Sequence, residues 1–139
     1  MIVSTKGRYA LRVMLDLAKN ENEKFESLKD ISNRQEISLK YLEAIIGILN
    51  KAGFVKSLRG VHGGYKLARD PKNYTVGEIL RLTENGLNLV NCEGCSSDGT
   101  CSRSSECLTM PIWQNLDKIV NSYLDKISLL DVLNGNYKI

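Results

Sequence analysis

The sequence predicts a mostly helical fold carrying one small β-hairpin: short helices first, then the hairpin, then one long helix near the carboxyl end. Three observations carry this. Apolar residues recur at helical spacing three times before residue 50, residues 54–68 switch to two short strand-like runs around three glycines, and residues 111–127 hold a long apolar stripe. The 139 residues fit one domain, or one domain with a dimerising appendage, since domains hold on the order of 100–150 residues.

Tyr9, Ala10, Val13, Met14 and Leu17 set a helix from Gly7 to about Lys19, with Thr5 as its expected cap. After a polar loop, Ser27 stands three residues before Asp30 and directly ahead of Leu28 and Ile31. That capping pattern opens a second helix ending near Arg34 or Gln35. Ser38 caps a third helix, whose Leu42, Ile45, Ile46 and Leu49 follow i, i+3, i+4, i+7, and Gly53 is placed to end it in a left-handed turn. Residues 28–51 thus read as a helix-turn-helix. Residues 54–58 and 65–68 are alternating, β-prone runs separated by Arg59-Gly60-Val61-His62-Gly63-Gly64, which permits a tight reversal. A hairpin directly after a helix-turn-helix is the layout of a winged helix, here with its wing at about 54–68.

Thr75 to Glu78 is a capping box, opening a helix with Ile79, Leu80 and Leu82 on its apolar side. Pro111 sits where the long helix begins. Its stripe of Trp113, Leu116, Ile119, Val120, Tyr123, Leu124 and Ile127 is too apolar to stand alone, so Trp113, Leu116, Val120, Tyr123 and Leu124 are the expected dimer interface. Ser128 and Asp131 open a short closing helix, and residues 134–139 are expected to fray. The expected organisation is a winged helix-turn-helix over 1–83, a cysteine-rich loop over 84–107, and dimerisation and closing helices over 108–133.

Charge is unevenly placed. Residues 1–80 hold 14 Lys/Arg against 9 Asp/Glu, whereas residues 81–139 hold 5 against 7, so the winged-helix half is the basic one and suits a polyanionic partner. The opposite face of the third helix from its apolar stripe begins with Ser38, Lys40, Tyr41, Glu43 and Ala44. The first turns of such a helix are what enter a major groove of double-stranded DNA. Glu43 can accept from a cytosine amino group but is repelled by phosphate, so it suits discrimination; the bland alternative is a solvated helix surface. Arg59, with bare backbone at Gly60, suits a minor groove, and glycine-flanked His62 suits a wing contact. Lys6, Arg8, Lys56 and Lys66 are lesser candidates for phosphate contacts.

All four cysteines, Cys92, Cys95, Cys101 and Cys107, fall in one polar Gly/Ser/Asp-rich stretch that cannot pack a core. The amino terminus Met1-Ile-Val-Ser-Thr-Lys-Gly-Arg shows no signal-peptide apolar run, which points to a reducing cytoplasm and to metal rather than disulfides. Four thiols also suffice for zinc, but zinc ribbons show two close pairs and only Cys92-x2-Cys95 is close here. An iron–sulfur cluster therefore leads and zinc stays open. No stretch approaches the roughly 20 apolar residues of a membrane span. Nor is there a phosphate loop, a histidine near the thiols or an evident carboxylate pair, so an enzyme is not expected.

Four segments together resemble the Rrf-type winged-helix regulators, and especially the iron–sulfur-cluster regulators among them. They are Ser4-Thr5-Lys6-Gly7-Arg8-Tyr9-Ala10, Ile37-Ser38-Leu39-Lys40-Tyr41-Leu42-Glu43, the wing 59–65, and Cys95-x5-Cys101-x5-Cys107 followed by Trp113. The resemblance spans nearly the whole chain. It implies a dimeric transcription factor, repressor in type, paired through the long helix. Its cluster, 2Fe–2S ahead of 4Fe–4S, would rest on Cys95, Cys101 and Cys107 and change which operators are bound. Where the cluster regulators have a histidine three residues after the third cysteine, this chain has Met110, a weak ligand. Cys92 is the substitute within the loop. Related nitric-oxide sensors draw a carboxylate from the partner subunit, a part open to Asp16 or Glu78. Nitric-oxide or cysteine-metabolism sensing on the same scaffold, and a zinc-stabilised interaction module, are the alternative functions.

Overall fold

The computed structural model describes residues 3–20, 24–90 and 101–138. Six α-helices and one hairpin are found among them: α1 (Thr5–Lys19), α2 (Leu28–Gln35), α3 (Leu39–Lys51), β1 (Val55–Leu58), β2 (Gly64–Leu67), α4 (Val76–Glu84), α5 (Met110–Lys126) and α6 (Leu129–Asn134), with a 3-10 turn at Pro71–Asn73 before α4. The expected winged helix is therefore present. Its strands lie one residue from the predicted bounds, Val55 and Gly64 opening them in place of Phe54 and Tyr65.

Local capping chemistry sets most helix starts. The hydroxyls of Ser27, Ser38 and Thr75 each accept the backbone N–H three residues on, at 3.1, 3.3 and 3.1 Å, and Glu78 returns a bond to the Thr75 N–H at 3.0 Å. For α1 the cap is Ser4, not Thr5. The Ser4 hydroxyl accepts from Gly7 N–H and donates to Glu84 Oε1 at 2.7 Å, so a bond to α4 selects between two adjacent hydroxyls. The turn between α2 and α3 passes through Glu36 in the left-handed region, and α3 ends before left-handed Gly53 as expected.

The main core gathers Val13, Met14, Ile31, Leu42, Ile45, Leu49, Tyr74, Ile79 and Leu129, so α1, α2, α3, α4 and α6 close on one another. Tyr74 is fully buried. Its hydroxyl donates to the Phe54 carbonyl at 2.6 Å and accepts from the N–H groups of Ala68 and Arg69 at 3.0 and 2.9 Å, stapling both feet of the hairpin. A second cluster of Val76, Leu80, Leu87 and Ile127 takes Tyr123 and Leu124 from α5. Arg81 holds Asp125 and donates to Asn121 at 2.9 Å, fixing α4 to α5.

The closing segment returns to the body. Val76 N–H donates to Ile127 O at 2.9 Å and Leu129 N–H to Tyr74 O at 3.0 Å, seating buried Leu129 in the main core. Beyond α6, Asn136 and Tyr137 are tied back where fraying was expected: Asn136 N–H donates to Asp131 O at 2.8 Å and the Tyr123 hydroxyl to Tyr137 O at 3.1 Å, while Ile139 lies outside the described residues. No helix among the described residues is long and apolar enough to cross a membrane.

Candidate nucleic-acid interface and cysteine segment

Helix α3 is held by its buried stripe of Leu42, Ile45, Ile46 and Leu49, which turns Ser38, Lys40, Tyr41, Glu43 and Ala44 outward on the exposed side. Lys40, Glu43 and Ala44 have no side-chain partner among the described residues, so this end of the helix presents free polar groups. Tyr41 is placed by packing. Its ring meets Tyr9 of α1 edge to face at 5.7 Å, and it lines a shallow cleft with Ser4, Thr5, Lys6 and Glu84. The opening turn of α1, with Lys6, thus adjoins the start of α3.

The wing projects Arg59, Gly60, Val61 and His62 into solvent, Val61 at 98% exposure. Gly60 is left-handed and the Gly63 N–H donates to Gly60 O at 3.0 Å, making the reversal that the glycines predicted. Gly64 has a further reason. Glu26 pairs with Tyr65 through two backbone bonds of 2.8 Å, and a Cβ on Gly64 would collide with the Glu26 carbonyl. Lys56 and Lys66 stand directly opposite on the hairpin and share a groove with Lys72. Two like charges in register repel. Lys66 is partly compensated by the face of Phe25 at 4.8 Å.

Among the cysteines, Cys101 and Cys107 are half-buried free thiols, while Cys92 and Cys95 lie outside the described residues. Cys107 ends the turn leading into α5. Its Sγ lies 3.5 Å from Thr109 Oγ1, and that hydroxyl, with the N–H groups of Thr109 and Met110, holds the thiol below its ordinary pKa. Donors aimed at sulfur favour the thiolate, the form that ligates iron or zinc, so this donor set fits a metal group. No group of three or more metal-ligating side chains is found among the described residues.

Both carboxylates weighed as a fourth ligand are engaged within the chain. Asp16 is 5% exposed and takes Arg34 Nη2 and Gln35 Nε2, each at 2.7 Å. Glu78 serves its capping box and lies 3.7 Å from Arg69. Sequence reasoning missed this use of Asp16, whose partners stand 18 and 19 residues away; a buried acid on the core side of α1 was the available signal.

The expected interface residues divide. Tyr123 and Leu124 pack against the second cluster of their own chain, Trp113 and Val120 are half-buried, and Leu116 is exposed. Ile112 and Ile119, absent from that expected set, are also exposed, and no residue of α5 is fully buried.

Comparison with known proteins agrees with this architecture. The profile of the Rrf2 family, described as iron-dependent transcriptional regulators, matches residues 3–135. IscR of Vibrio campbellii, an HTH-type transcriptional regulator, is 36% identical over 136 residues, covering 98% of this chain and 79% of that protein. Among solved structures, CymR, the global cysteine regulator of B. subtilis, superposes with a TM-score of 0.78 at 34% identity, covering 96% of this chain and 97% of that one. T. potens IscR gives 0.76 at 39% identity, covering 97% and 88%.

Proposed function

Because the chain belongs to the Rrf2 family of transcriptional regulators, which bind DNA and are not enzymes, we propose that it acts in the cytoplasm as a homodimeric repressor of genes under cluster or redox control. In this reading Cys95, Cys101 and Cys107 hold an iron–sulfur cluster, with Cys92 as the further thiol, 2Fe–2S ahead of 4Fe–4S. The observation that carries it is the outward start of α3, Ser38 to Ala44 with free Lys40 and Glu43, together with an exposed wing that offers Arg59, Gly60 and His62. The α3 side chains would read base edges in the major groove, Arg59 would lie in the flanking minor groove, and Lys6, Lys56 and Lys66 would meet phosphates. A bound cluster would supply a redox- and iron-responsive centre directly ahead of α5, the helix proposed to pair the protomers.

The likeness to CymR favours a second reading on the same scaffold, cysteine-metabolism sensing without a cluster. Anaerobic purification with iron, sulfide and zinc analysis separates the cases: iron and sulfide support the cluster, zinc alone points to the structural-metal reading, and neither points to the cysteine-sensing one. Selection of duplexes from a random-sequence pool by the wild-type protein tests DNA reading itself.

A further inference from the structure

The wing and the helix-turn-helix are joined by one guanidinium. Arg34, in the last turn of α2, reaches Asp16 of α1 through Nη2 at 2.7 Å and Nε at 3.2 Å, and Glu26 through Nη1 and Nη2, both at 3.2 Å. Glu26 is in turn paired by its backbone to Tyr65 of β2, so the same residue that takes Arg34 is a third strand-like partner of the wing. Gln35, next in sequence, donates to Asp16, while Arg12 of α1 donates to the Gln35 carbonyl and to its Oε1. These contacts converge on the turn that launches α3. Asp16 is buried and Arg34 is the only cation on it among the described residues, so its geometry is dictated by the pair rather than by solvent.

We infer that Arg34 is a positioning residue for DNA recognition, fixing the separation between the start of α3 and the wing through Asp16 on one side and Glu26 on the other. The inference rests on the DNA-binding reading. A site that must place one element in a major groove and another in the adjoining minor groove needs that separation held before binding, because ordering it afterwards would cost affinity. Tyr74 fixes the feet of the hairpin, and the Arg34–Glu26 contact fixes its outer edge. The clamp therefore acts on matched operators, where both grooves must be met together, and not on non-specific duplex.

Glu26→Ala tests the wing arm without disturbing buried Asp16. Removing a carboxylate beside a polyanion raises affinity for every duplex if charge alone acts, whereas loss of positioning lowers affinity for the matched duplex; the signs are opposite. The second variant, Arg34→Met with Asp16→Leu, removes the guanidinium together with buried Asp16, so that no buried charge is left without its partner. Both are titrated at several salt concentrations against the duplex selected by the wild-type protein and a scrambled one. Expected is a loss of about 3- to 30-fold on the selected duplex, with scrambled-duplex affinity held or raised and the salt slope unchanged. A slope lower by about one unit in the Arg34 variant would make it a direct phosphate contact and overturn the inference. So would unchanged or higher affinity of Glu26→Ala for the selected duplex. Failure of the wild type to bind any duplex would remove the DNA reading, and the clamp with it.

Discussion

Glu43 and Arg59 are both exposed and carry opposite charge, so against a polyanion their removal should act with opposite sign. Arg59→Ala should weaken binding to all duplexes and lower the salt slope by roughly one unit, if it neutralises one phosphate. Glu43→Ala should hold or raise affinity for non-specific duplex while relaxing discrimination at one base pair by roughly 1–3 kcal/mol. Titration of both variants against matched and single-mismatch duplexes reads the two effects; a uniform loss in Glu43→Ala would make the residue structural. The thiols differ from these surface charges because Cys107 is already biased toward thiolate by Thr109. Alanine at Cys95, Cys101 or Cys107 should abolish iron and sulfide binding while leaving helix content unchanged. Cys92→Ala is the decisive fourth case, since Met110 offers only a thioether. Full iron and sulfide content in any of the four would take that residue out of the ligand set.

At the scale of elements, the wing depends on one buried hydroxyl. Tyr74→Phe keeps the ring but takes from the Arg69 N–H the hydroxyl it donates to, while Ala68 N–H and the Phe54 carbonyl keep only their mutual 3.2 Å bond; the change should cost about 1–3 kcal/mol in chemical denaturation. The closing helix gives a pH signature. Ser128 holds the Asp131 carboxyl below the ordinary carboxylate range, first through its hydroxyl and then through its N–H. A depressed folded pKa means stability that is present above the unfolded value and is lost as pH falls through the folded one. Asp131→Asn should therefore be less stable than wild type at neutral pH, with the gap narrowing in acid; a gap that stays constant would assign the effect to packing. What was legible in sequence follows the same scale. The caps at Ser27, Ser38, Thr75 and Ser128 could be read because both partners lie within four residues. The start of α1 was misread because Ser4 is chosen by Glu84, 80 residues away. The wing itself was visible in its glycines, whereas its anchors, Tyr74 and the Glu26–Tyr65 pair, arise only when distant segments meet. For the site, type and spacing marked the face of α3 and the thiols. For Asp16 the local signal was an acid on the core side of α1; its partner Arg34, 18 residues on, was not local.

At the scale of the molecule, the helix that should pair two protomers is the least satisfied element. Ile112, Leu116 and Ile119 lie at i, i+4, i+7 on α5 with exposures of 57%, 41% and 65%, and Leu108 ahead of them is exposed as well. Tyr123 and Leu124 are used by their own chain, which shifts the interface we propose from the expected set toward Ile112 and Ile119, with Leu116 common to both. Six such side chains across a two-fold axis, each already about half covered by its own chain, would supply roughly 5–9 kcal/mol at about half of 1.5–3 kcal/mol each, against an association cost on the order of 4–15 kcal/mol. Pairing through these residues therefore leaves nothing to spare for buried charge. Ile112→Glu with Ile119→Glu should accordingly sediment as a monomer while keeping its far-ultraviolet helix signal, because neither residue packs in its own core. Matched-operator affinity should fall much further than non-specific affinity, since a monomer meets one half-site where a dimer meets two. A variant that remains dimeric would show that α5 is not the pairing surface. A monomer that still binds the matched duplex with wild-type affinity would show that recognition does not require the pair.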